Sequence, residues 1–165
     1  MQFRADEYYQ VSVERMAQAV DIYHRGEAFA LAMYCAGLSV ESLLRAFRWK
    51  EDATFDGRHD LYELLLASRL LEFNDGYMIH KCVSEESITE WRLKLKVAMS
   101  EVARLWHNNF RFASEARLKT YLQKAGRLKG VKGNPLKKNA LDLIQAAQTI
   151  VDRGSTIWIS ERKFS

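Results

Sequence analysis

Apolar side chains recur along the first part of the chain at the alternating three- and four-residue spacing of a helix. Tyr9, Val13, Met16, Val20 and Tyr23 form one such stripe from about Asp6 to His24, and Gly26 is placed to end it. The next segment, Glu27 to Trp49, opens with the nearly apolar run Ala28 to Leu38 and then becomes amphipathic through Leu44 and Phe47. A helix that is apolar nearly all round belongs at the centre of a bundle. Lys50 to Arg58 is polar and contains Gly57, which predicts a connector. Asp60 followed by Glu63 has the form of a capping box, opening a helix with Leu61, Leu64, Leu65 and Leu71.

Asn74, Asp75 and Gly76 predict a break, and the stretch Tyr77 to Val83 fits no single element. Ser87 with Glu90 again has the capping pattern. Ile88, Trp91, Leu95, Met99, Val102 and Trp106 then mark a long helix ending near Asn108 and Asn109. Ser114 is placed to cap a shorter helix through Leu118, Tyr121 and Leu122, stopped by Gly126. After a loop or partial helix over 126–138, Asn134 and Pro135 suit the cap and first turn of a last helix, whose stripe is Leu136, Ala140, Leu143, Ala147 and Ile150. Beyond Gly154, the short apolar tail 155–165 is expected to dock on the bundle as strand or coil.

These elements predict an all-α fold, an antiparallel bundle of five to six helices in one domain spanning 1–165. The composition agrees: 48% hydrophobic and 28% charged residues, with Pro 1 and Gly 8, leave little for disordered segments. Cys35 and Cys82 form no CxxC pair, so neither a disulfide scaffold nor a zinc knuckle is implied, and His80 next to Cys82 is too few ligands for a metal. No cofactor is expected. Met1 is followed by Gln2, Phe3, Arg4 and Asp6 rather than an apolar leader, and Ala28 to Leu38 is shorter than a membrane span. A cytoplasmic protein with no membrane partner is the expectation.

Charge changes this picture. The net charge is +4, yet Arg117 to Lys138 alone holds eight basic residues and no acidic one, so the rest of the chain is net acidic. Such a localised field attracts phosphate. Within it, Arg127, Lys129 and Lys132 alternate with three glycines and lead into a helix N-terminus, where exposed amides would add to the attraction. A solvated hairpin between helices explains the same residues. The loop does not match the Walker A pattern. Phe110, Phe112 and Tyr121 nearby suit either base stacking or packing between helices.

The string Ala36-Gly-Leu-Ser-Val-Glu41-Ser-Leu-Leu-Arg-Ala46, followed by His59-Asp60-Leu61 and Leu64-Leu65, resembles the HEPN domain (higher eukaryotes and prokaryotes nucleotide-binding). Trp106-His-Asn-Asn-Phe-Arg111-Phe is similar to the Trp…Arg-Tyr ending of some HEPN-like proteins. The likeness spans about Tyr8 to Ser114. It implies a homodimeric prokaryotic domain of a toxin–antitoxin or anti-phage defence module, binding RNA or nucleotide, assembling with a protein encoded nearby, or cleaving RNA without metal. The family's nucleases carry a His four to six intervening residues after an Arg.

That spacing is missing here. None of His24, His59, His80 and His107 has an arginine at that distance, and Arg104 with His107 comes nearest. The two share one helical face, with Arg111 just beyond and Asn108 placed to bond a substrate hydroxyl. Imidazole moves protons at neutral pH and guanidinium holds phosphate, so the pair suits a divergent ribonuclease. The other reading makes His107 a helix C-terminal cation and pairs Arg104 with Glu101. Arg58 and His59 at a helix start suit a phosphate, or Asp60 is simply the cap and His59 packing. Glu41 with Arg45 at i+4 reads as a structural ion pair. The expectation is therefore a binding or assembly domain without the usual nuclease motif, with a divergent ribonuclease as the alternative.

Overall fold

The computed structural model describes residues 3–52 and 60–162. The described residues form seven α-helices and one 3₁₀ turn: α1 (Ala5–Arg25), α2 (Phe29–Glu51), α3 (Leu61–Ser68), α4 (Leu70–His80), α5 (Glu85–Leu105), the turn Asn108–Phe112, α6 (Glu115–Lys124) and α7 (Pro135–Arg162). No strand occurs among them. The chain is an all-α bundle.

Helix α2 is its axis. Ala32, Met33, Ala36, Val40, Leu43, Leu44, Ala46 and Phe47 are fully buried. By length and composition α2 could cross a bilayer, although its apolar run alone is too short, but 78% of its most apolar window lies inside the bundle. Core burial accounts for its hydropathy. The expected pair Arg45 Nε to Glu41 Oε1 forms at 2.9 Å, with both side chains largely shielded.

Packing directions depart from a purely antiparallel bundle. Helices α1 and α2 are antiparallel, joined at Gly26, whose φ of 78° is left-handed, with Tyr23 against Phe29 at one end and Met16 against Ser39 further along. Helix α7 runs parallel to α2: Phe47 meets Trp158 edge-on at 5.3 Å, and Lys50 Nζ lies 2.5 Å from Glu161. Parallel neighbours need a long connection, and α3 to α6 supply it. The α1 stripe also faces differently from its periodicity. Small Ser12 and Ala19 with Met16 are buried, while Val13 is 41% exposed.

Two predicted breaks move, each because a tertiary contact uses the breaker. Asn74 and Asp75 lie inside α4: Asn74 Oδ1 accepts from Arg153 Nε at 2.7 Å and Asp75 pairs with Arg92 at 2.5 Å. The interruption falls instead at Arg69, whose φ is 54°, so the expected third helix becomes α3 and α4. Gly154 does not end α7, which continues to Arg162, so the expected docked tail is helix through that residue. At Gly154 a Cβ would overlap the Leu43 side chain, so the glycine serves the close approach of α7 to α2. Helix α5 starts earlier than expected, with Ser84 accepting from Ser87 N at 3.3 Å. The caps expected at Asp60, Ser114 and Asn134 form.

Candidate functional site: an aromatic and basic corner

Helix α5 ends because Trp106 turns inward. Its backbone is extended, its ring is buried, and its indole N–H donates to Tyr34 O of α2 at 3.2 Å. The ring lies against Gly37, where any Cβ would overlap it. The chain must then leave the bundle surface, and it does so as the 3₁₀ turn. His107 caps that turn, its Nδ1 accepting from Asn109 N at 3.1 Å. Phe110 is buried and anchors the turn, with its ring 5.1 Å from that of Tyr121. Ser114 then starts α6, whose Glu115 Oε1 accepts from Ala30 N at 3.2 Å. That bond supplies the N-terminal cap that α2 lacks locally.

The result is a depression of about 560 Å³ lined by His107, Asn109, Phe110, Phe112, Arg117 and Tyr121. Phe112 is 78% exposed beside it, and the Arg111 guanidinium lies 4.7 Å from the centre of its ring. Tyr62, Asp60, Trp106, His107 and Asn108 line a smaller depression next to it, so His107 borders both. A flat ring presented to solvent, flanked by two guanidinium groups and an imidazole, can stack a base and hold its phosphate. His107 Nδ1 is occupied by an amide proton, so the neutral ring carries its own proton on Nε2 and offers a donor there.

The predicted residues separate into groups. Arg111 belongs to this corner, and His107 lines it. Arg104 does not line either depression: it is exposed and bonds Glu101, as its structural reading had it. The same carboxylate takes Arg127 at 2.6 Å, and Arg127 Nε also donates to Asn139 Oδ1 at 3.2 Å. Arg127 is thus a fastener, not a ligand arm. Lys129 and Lys132 are exposed on the basic loop. The amides expected to serve an anion at the start of α7 are taken, since Asn134 Oδ1 accepts from Leu136 N at 3.0 Å and Lys137 N at 3.2 Å. At the start of α3, Asp60 Oδ1 likewise takes the amides of Tyr62 and Glu63. Arg58 and His59 lie outside the described residues.

Sequence reasoning missed Arg117 as a member of this site. Its position three residues after the Ser114 cap was the available signal, because the first turn of α6 faces the 3₁₀ turn that precedes it. A larger cavity, about 780 Å³, lies elsewhere, bounded by Lys50, Glu51, Arg69, Phe73, Tyr77 and His80. Its cations Lys50 and Arg69 are engaged, Lys50 with Glu161 at 2.5 Å and Arg69 with Glu51 at 3.0 Å, and Glu72 adds a further carboxylate to the lining. It is a less suitable phosphate site than the corner.

Comparison with known proteins leaves the assignment to this geometry. No family model, curated protein or solved structure matches the chain.

Proposed function

We propose that this chain is a HEPN-like helical domain of a prokaryotic defence or toxin–antitoxin module that binds single-stranded RNA or a nucleotide at the corner of the 3₁₀ turn and α6. The observation that carries the reading is Phe112, 78% exposed with Arg111 4.7 Å over its ring, beside the depression lined by His107, Arg117 and Tyr121. A ring facing solvent has a π-face on which a base can stack whatever its sequence. Lys129 and Lys132 extend the positive field. The HEPN-like part of the reading is supported by contact between its motif stretches: Gly37 lies under Trp106, and Asp60 and Leu61 share a depression with Trp106 and His107. Assembly with a protein encoded nearby belongs to the same proposal.

Binding is favoured over cleavage because Arg104 is bonded to Glu101, and Nδ1 of His107 is engaged as a cap. One observation keeps a divergent ribonuclease as the second reading: Arg117, rather than Arg104, joins His107 in one depression. Fluorescence anisotropy with a labelled single-stranded RNA tests the first. Phe112→Ala is expected to weaken binding roughly 5- to 150-fold, in line with base stacking of about 1–3 kcal/mol. Reversing Lys129 and Lys132 to Glu is expected to flatten the salt dependence. Equal affinity in all three proteins removes the corner and the loop from consideration. RNA shortened by the wild type but not by His107→Ala moves the reading to the ribonuclease.

A further inference from the structure

Asp60 uses only one of its carboxylate oxygens at the start of α3. Oδ1 accepts from Tyr62 N at 2.9 Å and from Glu63 N at 3.0 Å, which occupies both of its lone pairs and caps the helix. Oδ2 bonds to no other described residue, and Asp60 is exposed. The spare oxygen belongs to a residue that lines the smaller depression together with Tyr62, Trp106, His107 and Asn108. Two of those neighbours also have groups the fold does not use. The Asn108 side-chain amide bonds to no other described residue. The Tyr62 ring is 50% exposed and is held in place at its edge, where Oη donates to Ser100 Oγ at 3.1 Å.

We propose that the smaller depression is a second base subsite, adjoining the one at Phe112, in which Asp60 and Asn108 select cytosine or adenine over uracil. The subsite rests on the RNA-binding reading and adds a choice among bases to it. His107 borders both depressions, so a strand with one base on Phe112 carries the next past His107 to the Tyr62 ring. A solvent-facing ring stacks any base, and discrimination has to come from hydrogen bonds to the base edge. The ionised carboxylate oxygen only accepts, while the amide beside it can donate. Cytosine presents its N4 amine next to the N3 acceptor, and adenine its N6 amine next to N1, so either base meets the pair group for group. Uracil has O4 in place of the amine. Its one donor on that edge, N3–H, is flanked by two carbonyl oxygens that repel a carboxylate.

A carboxylate beside the path of a polyanion weakens every strand that gives it no donor, so Asp60 serves selectivity more than affinity. Its two oxygens also make the recognition role separable from folding. Asparagine caps helices about as well as aspartate. In Asp60→Asn the amide oxygen can keep the bonds to Tyr62 N and Glu63 N, while Nδ2 takes the place of Oδ2 and a donor replaces an acceptor at unchanged shape. The donor suits the O4 carbonyl of uracil and opposes the amine of cytosine, and the negative charge is gone.

Anisotropy titrations of the full chain with short labelled oligocytidine and oligouridine test the subsite, with circular dichroism to check that each variant folds. The wild type is expected to bind oligocytidine roughly tenfold tighter than oligouridine. Asp60→Asn is expected to weaken oligocytidine and strengthen oligouridine, so that the preference is abolished or reversed. Tyr62→Ala is expected to weaken both strands roughly tenfold through the lost stacking. Equal wild-type affinity for the two strands, with Phe112→Ala still weakening both, overturns base selection and leaves RNA binding at the corner standing. No affinity for either strand overturns both. A preference that Asp60→Asn leaves intact overturns the role of Asp60. An equal loss for both strands in that variant places the carboxylate on a sugar hydroxyl and overturns it as well. Wild-type affinity in Tyr62→Ala overturns the second subsite.

Discussion

At the scale of single residues, the glycines separate into those that permit a turn and those that permit an approach. Gly37 and Gly154 lie inside helices, where glycine costs about 0.5–1 kcal/mol relative to alanine, and both are placed where a Cβ would strike a neighbour, Trp106 in one case and Leu43 in the other. Gly76 is also helical, yet nothing lies within 4 Å of its missing Cβ. Opposite outcomes follow. Gly37→Ala and Gly154→Ala are expected to destabilise the fold by about 1–3 kcal/mol through overpacking. Gly76→Ala is expected to raise stability by about 0.5–1 kcal/mol. Urea unfolding followed by circular dichroism measures all three. The sequence could not tell these glycines apart, because what distinguishes them is the side chain of a residue far along the chain.

At the scale of elements, local chemistry located the helices better than it located their ends. Asp60, Ser114 and Asn134 cap the helices their positions predict, because a cap needs only a side-chain oxygen two or three residues before an amide. The breakers behaved otherwise. Asn74, Asp75 and Gly154 have the local preferences of turn residues, but Arg153, Arg92 and Leu43 make the helical conformation worth more at those positions. The basic loop is held in the same way. Buried Asn139 of α7 donates to Arg127 O at 3.1 Å and Pro135 O at 2.8 Å, and accepts from Arg127 Nε. Replacing Asn139 by alanine leaves those groups unbonded at a cost of about 1–3 kcal/mol. The loop is expected to open before the bundle does, so trypsin should cut faster after Lys129 and Lys132 while helix content is unchanged. Equal digestion of variant and wild type would show that the loop is held by something else.

For the whole molecule, the two cysteines report on opening. Cys82 is exposed, whereas Cys35 lies in the α2 core, and burial pushes its thiol up from the usual value, with Arg15 drawing it partly back. A thiol reagent is expected to modify Cys82 at once. Cys35 should react only through unfolding of the bundle, at a rate that rises with denaturant along with the loss of helix. Fast modification of Cys35 without denaturant would indicate that α2 opens locally. Trp158 lies between Tyr9 and Phe47, so α1, α2 and α7 share one aromatic contact and are expected to unfold together.

By itself the sequence determined the all-α class, most of the helices, three of the caps, the Glu41–Arg45 pair and the place where positive charge accumulates. Each of these depends on residues within one or two helical turns, and at that range spacing alone specifies contact. Only the tertiary structure decided that α7 runs parallel to α2, that Arg127 is spent on Glu101 and Asn139, and that Arg117 joins His107 while Arg104 does not. Those outcomes turn on which distant side chains fill the same space, and periodicity within one helix carries no information about its neighbours.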